Sequence, residues 1–470
     1  MVFNEAFIQS IIPQVRFRGQ SLPADVTWAL DSRTVTEQAG QSVTVFVALR
    51  GAQTDGHNFV AEALQAGACG CLVSLEKEQE LSALMKQYQT TKTFILVPSP
   101  EQALYELAAA WRQLFTYPVV GITGSVGKTT TKTMLANVLR AQGRPFLASE
   151  GNQNTLLGAS INILRMKPEH TVAVFEMGIS RRGEMARLAQ LVRPTIGVIT
   201  ALGHCHMEGL GSLADIAAEK RDVFSAFTRD CIGIIDGDQP LLSTVSYAQP
   251  IIRFGKKMSN QIQARKIELH TGVASFQLKM YQERYPITLQ TEHLARIYNA
   301  LTAAAVSHVL GVEPSVMCKG LQEPVAVSGR FKKYEIASSG SVVIDDSYNA
   351  NPESMKAALL AFENIEAPGK KIAVLGDMLE LGVNAPFWHR QLGRFLRKVP
   401  SVQEVVFVGE QVKWAQKLVP LHMMSHHVAS WEEAAQLLKD RVSHDKTIVL
   451  VKGSLGMRLR NLVHVLTGQK

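Results

Sequence analysis

Apolar positions along this chain gather in short β-branched runs separated by stretches with helical spacing. Val43 to Leu49, Cys71 to Leu75 and Phe94 to Val97 read as buried strands, and Phe59 to Ala66 repeats its apolar residues as one face of a helix does. A second series begins at Tyr117: a strand from Val119 to Thr123, a helix from Thr129 to Gln142 stopped by Gly143, and strands from Thr171 to Phe175 and Ile196 to Thr200. After Pro324 and Gly329 a third series follows, with strands near Val342 to Asp345, Lys371 to Leu375, Val405 to Val408 and Ile448 to Val451. Strands that are apolar throughout and alternate with helices specify an α/β fold whose sheets are largely parallel and covered by helices. No internal repeat and no low-complexity tract interrupts the pattern.

Length turns three series into three domains. The chain of 470 residues exceeds what one hydrophobic core organises, and the series divide it at 1–116, 117–325 and 326–470. Apolar residues make up 46% and charged residues 19%, a globular balance without the signature of disorder. No uninterrupted apolar stretch of roughly 20 residues is present, and the beginning of the chain does not read as a secretory leader. The expectation is therefore a cytoplasmic monomer without membrane insertion. The net charge of +8 is dispersed along the sequence, which argues against nucleic acid and suits a polyanionic small substrate. Five scattered cysteines lack the spacing of a zinc site or disulfide framework and read as reduced thiols.

The densest chemistry lies at Gly121-Ile-Thr-Gly124-Ser125-Val126-Gly127-Lys128-Thr129-Thr130, between an apolar strand and a helix whose Met134, Leu135, Val138 and Leu139 keep one face apolar. Glycines let backbone N–H groups close around phosphate oxygens and the helix N-terminus favours an anion. Lys128 can reach the terminal phosphates and Thr129 can ligate magnesium. Ile122 stands where the usual form of this loop has its first glycine. The other reading, a glycine-rich turn without nucleotide, fits the strand–loop–helix setting less well.

Two further residues belong at the same carboxyl edge. Glu176 follows a strand and His206 lies shortly after another, and ligands of open α/β sheets bind at such edges. A carboxylate and a loop hydroxyl suit magnesium, with ATP supplying part of the shell. Alone, each would be an ordinary surface carboxylate or loop histidine. Lys220 is more informative, because it falls on the apolar stripe Leu213, Ile216, Ala217, Val223, Phe224 and Phe227 of a helix expected from Leu213 to Phe227. An ammonium there pairs with an anion, snorkels to water or loses its charge. A neutral amine could capture carbon dioxide as a carbamate and ligate a second magnesium.

These motifs resemble those of the Mur ligases over nearly the whole chain. The resemblance is carried by Thr123 to Thr130, Gly151-Asn152-Gln-Asn154-Thr155, Glu176-Met-Gly178, His206-Met-Glu208 and Lys220, then Asp345-Asp346-Ser347-Tyr348-Asn349-Ala350-Asn351-Pro352, Val374 to Gly382 and Lys452-Gly453-Ser454. It implies a central ATP-binding domain of parallel sheet with a phosphate loop, preceded by a UDP-substrate domain and followed by a Rossmann-like domain for the incoming dipeptide. By the same resemblance Asn299, Arg330 and Asn349 contact ATP, and Asp346 acts at the site with Lys128, His206 and Lys220. It implies Thr129, Glu176, His206 and Lys220 as magnesium ligands, and Ser32, Arg33, Asp55, Gly56 and His57, with Asn152, Asn154 and Thr155, as the residues for the UDP substrate. The chain departs from the family pattern at Ile179-Ser180-Arg181, Ala295-Arg296 and Leu455.

The implied activity is ATP-dependent amide ligation in peptidoglycan precursor synthesis, joining D-Ala-D-Ala to UDP-N-acetylmuramoyl-tripeptide through an acyl phosphate. Two alternatives stay open at this point. One is another ligase of the superfamily, MurE-like or folylpolyglutamate synthase-like; the other is a nucleotide-binding switch without ligase activity.

Overall fold

The computed structural model describes residues 3–24, 26–38, 43–51, 53–270, 272–366, 369–444 and 446–469. Its chain separates into two compact units, one made of Met1–Gly121, Arg144–Met177 and Ala186–Thr195, the other of Ile122–Gly143, Gly178–Met185 and Ile196–Lys470.

The first unit holds a five-stranded sheet in the order Arg16–Gly19, Thr93–Val97, Gly70–Ser74, Thr44–Val47, Thr27–Ala29. Only the pairing of Arg16–Gly19 is antiparallel; the other three are parallel, and the three inner strands are buried along their whole length. The helix Pro100–Gln113 starts where Ser99 caps Gln102 and proline occupies the first turn, a position that needs no intrahelical N–H. Near its end the buried Arg112 donates to the carbonyls of Phe115, Val192 and Arg193 at 2.7–2.8 Å. Burial pushes this guanidinium down to about 10, and three carbonyls take the place of water around it. In the same unit Phe146–Ala148 and Val172–Glu176 pair in parallel.

In the second unit Ile196–Ile199, Ile232–Asp236, Ile251–Gly255 and Ile262–His270 follow one another in parallel, and Val273–Met280 and Glu283–Leu289 continue the sheet antiparallel. The phosphate-loop helix Lys128–Gln142 packs against the helices Ala295–Val309 and Pro314–Gln322. Contact with the latter is close at Gly320, where a Cβ would come within 2.4 Å of the Val138 Cα. A second sheet of six strands runs Lys332–Ile336, Ser341–Asp346, Ile448–Lys452, Lys371–Gly376, Glu404–Val408, Met424–Val428. Every pairing in it except Lys332–Ile336 with Ser341–Asp346 is parallel, and apolar clusters centred on Phe362 and Phe407 and on Leu438 and Leu462 cover its two faces.

The expected strands appear within one or two residues of their expected ends. The expected helix Leu213 to Phe227 is shorter, Leu213–Arg221 followed by a single 3₁₀ turn at Asp222–Phe224. Among the described residues no helix is long and apolar enough to cross a membrane.

Candidate active site

The loop after Val119–Thr123 is held in shape by its own backbone. Gly124 has φ +146° and Gly127 φ +93°, conformations that L side chains rarely adopt. Space is also denied there, since a Cβ would come within 2.0 Å of Thr200 Oγ1 at Gly124 and 2.5 Å of Asn299 Oδ1 at Gly127. Ser125 donates from N–H to the Ala201 carbonyl at 2.7 Å and from Oγ to the Gly203 carbonyl at 2.9 Å. Thr200 Oγ1 donates to the Val126 carbonyl at 2.6 Å, and Lys128 Nζ folds back on the Gly124 carbonyl at 2.7 Å. The helix beginning at Lys128 presents its N-terminal N–H groups along its axis, with Thr129 and Thr130 in the first turn.

A cavity of about 240 Å³ opens over this loop. Ser125 through Thr130 line one side, and four of the residues facing them across it are Asn299, Arg330, Asp346 and Lys452. Sequence reading expected the first three of those four here. Thr131 Oγ1 donates to Asn299 Oδ1 at 3.4 Å, which joins the loop helix to Ala295–Val309. Arg330 lies over the Tyr348 ring at 4.2 Å. Asp345 and Asp346 divide their work. Asp345 accepts from Gly329 N, Ser347 N and Ser347 Oγ and so shapes the turn. Asp346 faces the cavity and pairs at 2.7 Å with Lys452, which is buried and whose amine burial pulls down against the attraction of Asp346. Lys452 Nζ also donates to the Asn349 carbonyl at 3.0 Å, and the Asn349 side chain accepts from Ala350 N. Asn351 is occupied as the cap of the helix Pro352–Glu363.

Lys220 is 1% exposed, as its place on the stripe implies, and its amine makes no hydrogen bond or ion pair among the described residues. Burial pushes its amine down to about 8, and the nearby positive charge of Lys128 acts in the same direction. The neighbouring Glu219 accepts from Met185 N at 3.1 Å. His206 adopts φ +53° and sets its Nδ1 against the Glu380 carboxylate, which the contact holds below the usual carboxylate range. Two residues earlier His204 donates its backbone N–H to Glu353 at 2.8 Å and places its ring Nδ1 2.5 Å from the same carboxylate, over Trp388. Within the first unit Glu176 ends its strand buried, receiving a hydrogen bond from Asn154 Nδ2 at 3.0 Å. Among the described residues no three His, Cys, Asp or Glu side chains gather as they would around a resident metal. A hydroxyl, an imidazole and a buried unpaired amine fit magnesium only if that amine carries a carbamate, with nucleotide and water completing the shell.

The first unit contains a separate cleft of about 170 Å³ lined by Asp55 and His57 together with Arg50, Ser74 and Lys77. Asp55 accepts from His57 N and Nδ1, and His57 Nε2 accepts from Ser74 N at 3.0 Å. Ser32 and Arg33 are not in its lining: Ser32 donates to Glu62, and the exposed Arg33 pairs with Asp31. Asn152 is exposed, and Thr155 caps the helix Leu156–Ile163.

Five cavity and loop residues carry roles that the sequence pattern does not assign: Arg296, Lys452, His204 with its partner Glu353, and Glu380. Lys452 and Glu380 lie inside motif strings, and a lysine closing an otherwise apolar strand was the available signal. The His204–Glu353 pair left none, because its partners are 149 residues apart.

Family models match along the chain in order: the Mur ligase family catalytic domain at residues 29–112, the Mur ligase middle domain at 122–307 and the Mur ligase glutamate ligase domain at 329–455. The UDP-N-acetylmuramoyl-tripeptide–D-alanyl-D-alanine ligase of Bacillus subtilis (strain 168) is 33% identical over 89% of this chain and 89% of its own length. The protein of that name from Escherichia coli (strain K12) is 32% identical over 95% and 96%. Among solved structures, MurF from Acinetobacter baumannii superposes with a TM-score of 0.82 at 26% identity, covering 100% of this chain and 99% of that one. MurF ligase from Thermotoga maritima in complex with ADP gives 0.76 at 26%, covering 94% and 97%. Similarity at this level over nearly the full length, with the phosphate loop and its cavity in place, assigns the fold as the three-domain Mur ligase fold: the chain belongs to the Mur ligase family.

Proposed function

We propose that the chain joins D-alanyl-D-alanine to UDP-N-acetylmuramoyl-tripeptide at the expense of ATP. The observation that carries this reading is the likeness to ligases of that name in Bacillus subtilis and Escherichia coli, which extends through all three family domains. The domains run over 1–116, 117–325 and 326–470, and the protein works as a cytoplasmic monomer in cell-wall synthesis, on which cell shape and division depend.

A carboxylate is a poor electrophile, so it first takes the γ-phosphoryl group of ATP, and the dipeptide amine then displaces phosphate from the acyl phosphate. Little covalent chemistry falls to the protein. Gly124 through Thr130 seat the phosphates, and Lys128 balances the charge on the transferring group. Asn299 and Arg330 hold the nucleotide, while Asn349 and Asp346 serve the nucleotide and the incoming dipeptide. Magnesium would be held by Thr129, His206 and carbamylated Lys220, with Glu176 added by sequence, and when bound would neutralise phosphate charge. In the first unit Asp55, Gly56 and His57 take the UDP moiety, and Ser32, Arg33, Asn152, Asn154 and Thr155 are assigned to the same substrate by their motifs alone. Excluding water protects the acyl phosphate until the amine arrives.

The test is phosphate release with varied acceptor and amine. Release should need both the UDP-muramoyl tripeptide and D-Ala-D-Ala, with single D-Ala, L-Lys, diaminopimelate and glutamate much poorer, because a site built for a dipeptide leaves polar groups unpaired around a single amino acid. A preference for diaminopimelate or lysine on a UDP-muramoyl dipeptide would transfer the protein to another branch of the family.

A further inference from the structure

The cavity over the phosphate loop holds more positive charge than its own carboxylates neutralise. Lys128, Arg296, Arg330 and Lys452 line it against two carboxylates, Asp346, which pairs with Lys452, and Glu353, which accepts from His204 N. His293 also lines the cavity, but burial pushes it down to about 4 and leaves it uncharged at neutral pH. Arg296, on the first turn of Ala295–Val309, has no carboxylate within ion-pair distance among the described residues. Its guanidinium donates from Nη1 to Thr130 Oγ1 at 3.3 Å and from Nη2 to the Arg330 carbonyl at 3.0 Å. Those two neutral acceptors use part of a five-donor group and none of its charge. Enclosure draws its pKa down to about 10, still cationic at neutral pH. Asp346 attracts it from beyond ion-pair distance but is already engaged with Lys452, so this partly buried cation has no anion in contact, which costs free energy unless a ligand supplies one.

Position identifies the part of the ligand. In a loop of this kind the lysine reaches the β- and γ-phosphates and the next hydroxyl meets the metal, while backbone N–H groups cradle the α- and β-phosphates. Thr130 is one residue further into the helix than Thr129, away from the transferred group. We propose that Arg296 grips the nucleotide at the α- and β-phosphates, which stay behind in ADP when the γ-phosphoryl group leaves. This rests on the reading of the chain as an ATP-dependent ligase and adds a binding residue to it. A contact kept in both ATP and ADP is uniform binding: it sets affinity and leaves turnover alone.

The experiment compares wild type, Arg296→Gln and Arg296→Lys by calorimetric titration with magnesium and ADP, and separately with adenosine, alongside ligation kinetics. Arg296→Gln should weaken ADP roughly ten- to a hundredfold, the range of a charge-assisted hydrogen bond lost from a sheltered site. KM for ATP should rise in step, kcat should stay within about threefold, and adenosine affinity should not change. Arg296→Lys should recover part of the loss, because it keeps the charge without the fork. If Arg296→Gln binds ADP as wild type does, or loses adenosine and ADP alike, the assignment is overturned. A wild-type protein that binds no ADP removes the ligase reading and this proposal together, whereas ADP binding shared equally by wild type and Arg296→Gln removes only the proposal.

Discussion

Lys128 opens its helix with its amine turned back on the Gly124 carbonyl, a contact that nucleotide would replace with phosphate oxygens. Replacing it with Ala should remove charge compensation from the transition state and lower kcat by roughly a hundred- to a thousandfold, as loss of one oriented electrostatic contact does. Wild-type phosphate release from Lys128→Ala would end its assignment. Lys220 makes a different kind of claim. Its amine is driven down to about 8, so it becomes increasingly neutral as pH rises through that value, and only the neutral amine captures carbon dioxide. Protein stripped of carbon dioxide should be nearly inactive and should recover faster at pH 9 than at pH 7 when dissolved carbon dioxide is held equal. Lys220→Ala should be inactive and partly restored by short carboxylic acids. Recovery independent of pH, or full activity without carbon dioxide, would sink the carbamate. Lys220 was legible because one charged residue broke an apolar stripe. Arg296 was not, since a long cation in a first turn normally faces water and only the fold shows what surrounds it.

At the scale of elements, strands buried on both faces announced themselves. Val119–Thr123, Lys371–Gly376 and Ile448–Lys452 are nearly continuous apolar runs, and each appears where expected. Elements with a wet face did not. Glu283–Leu289 alternates exposed and buried positions and carries Pro286, so its run of apolar residues is broken. Met424–Val428 ends its sheet with two histidines and no fully buried residue. The helix Pro352–Glu363 begins with a capping box in which Asn351 accepts from Ser354 N at 2.8 Å and Ser354 Oγ accepts from Asn351 N at 2.9 Å. Asn351→Ala should therefore cost about 1 kcal/mol of stability in urea unfolding. Because that side chain is already engaged, KM for D-Ala-D-Ala should stay unchanged. A large rise in KM without loss of stability would place Asn351 in the substrate site instead.

For the molecule as a whole, the last strand of the second sheet is not an edge. Ile448–Lys452 lies between Ser341–Asp346 and Lys371–Gly376 and carries Lys452 into the nucleotide cavity. A chain emerging from the ribosome therefore holds two neighbouring strands apart, with no partner between them, until Ile448–Lys452 has followed them out. Nucleotide binding waits for that strand, long after the phosphate loop itself has been made. Stalled chains ending before Ile448 should gain no protection from protease when ATP is added, whereas the 470-residue chain should. A stop codon just ahead of Ile448 would then yield a product as exposed to degradation as a much shorter one, despite containing every residue of the phosphate loop.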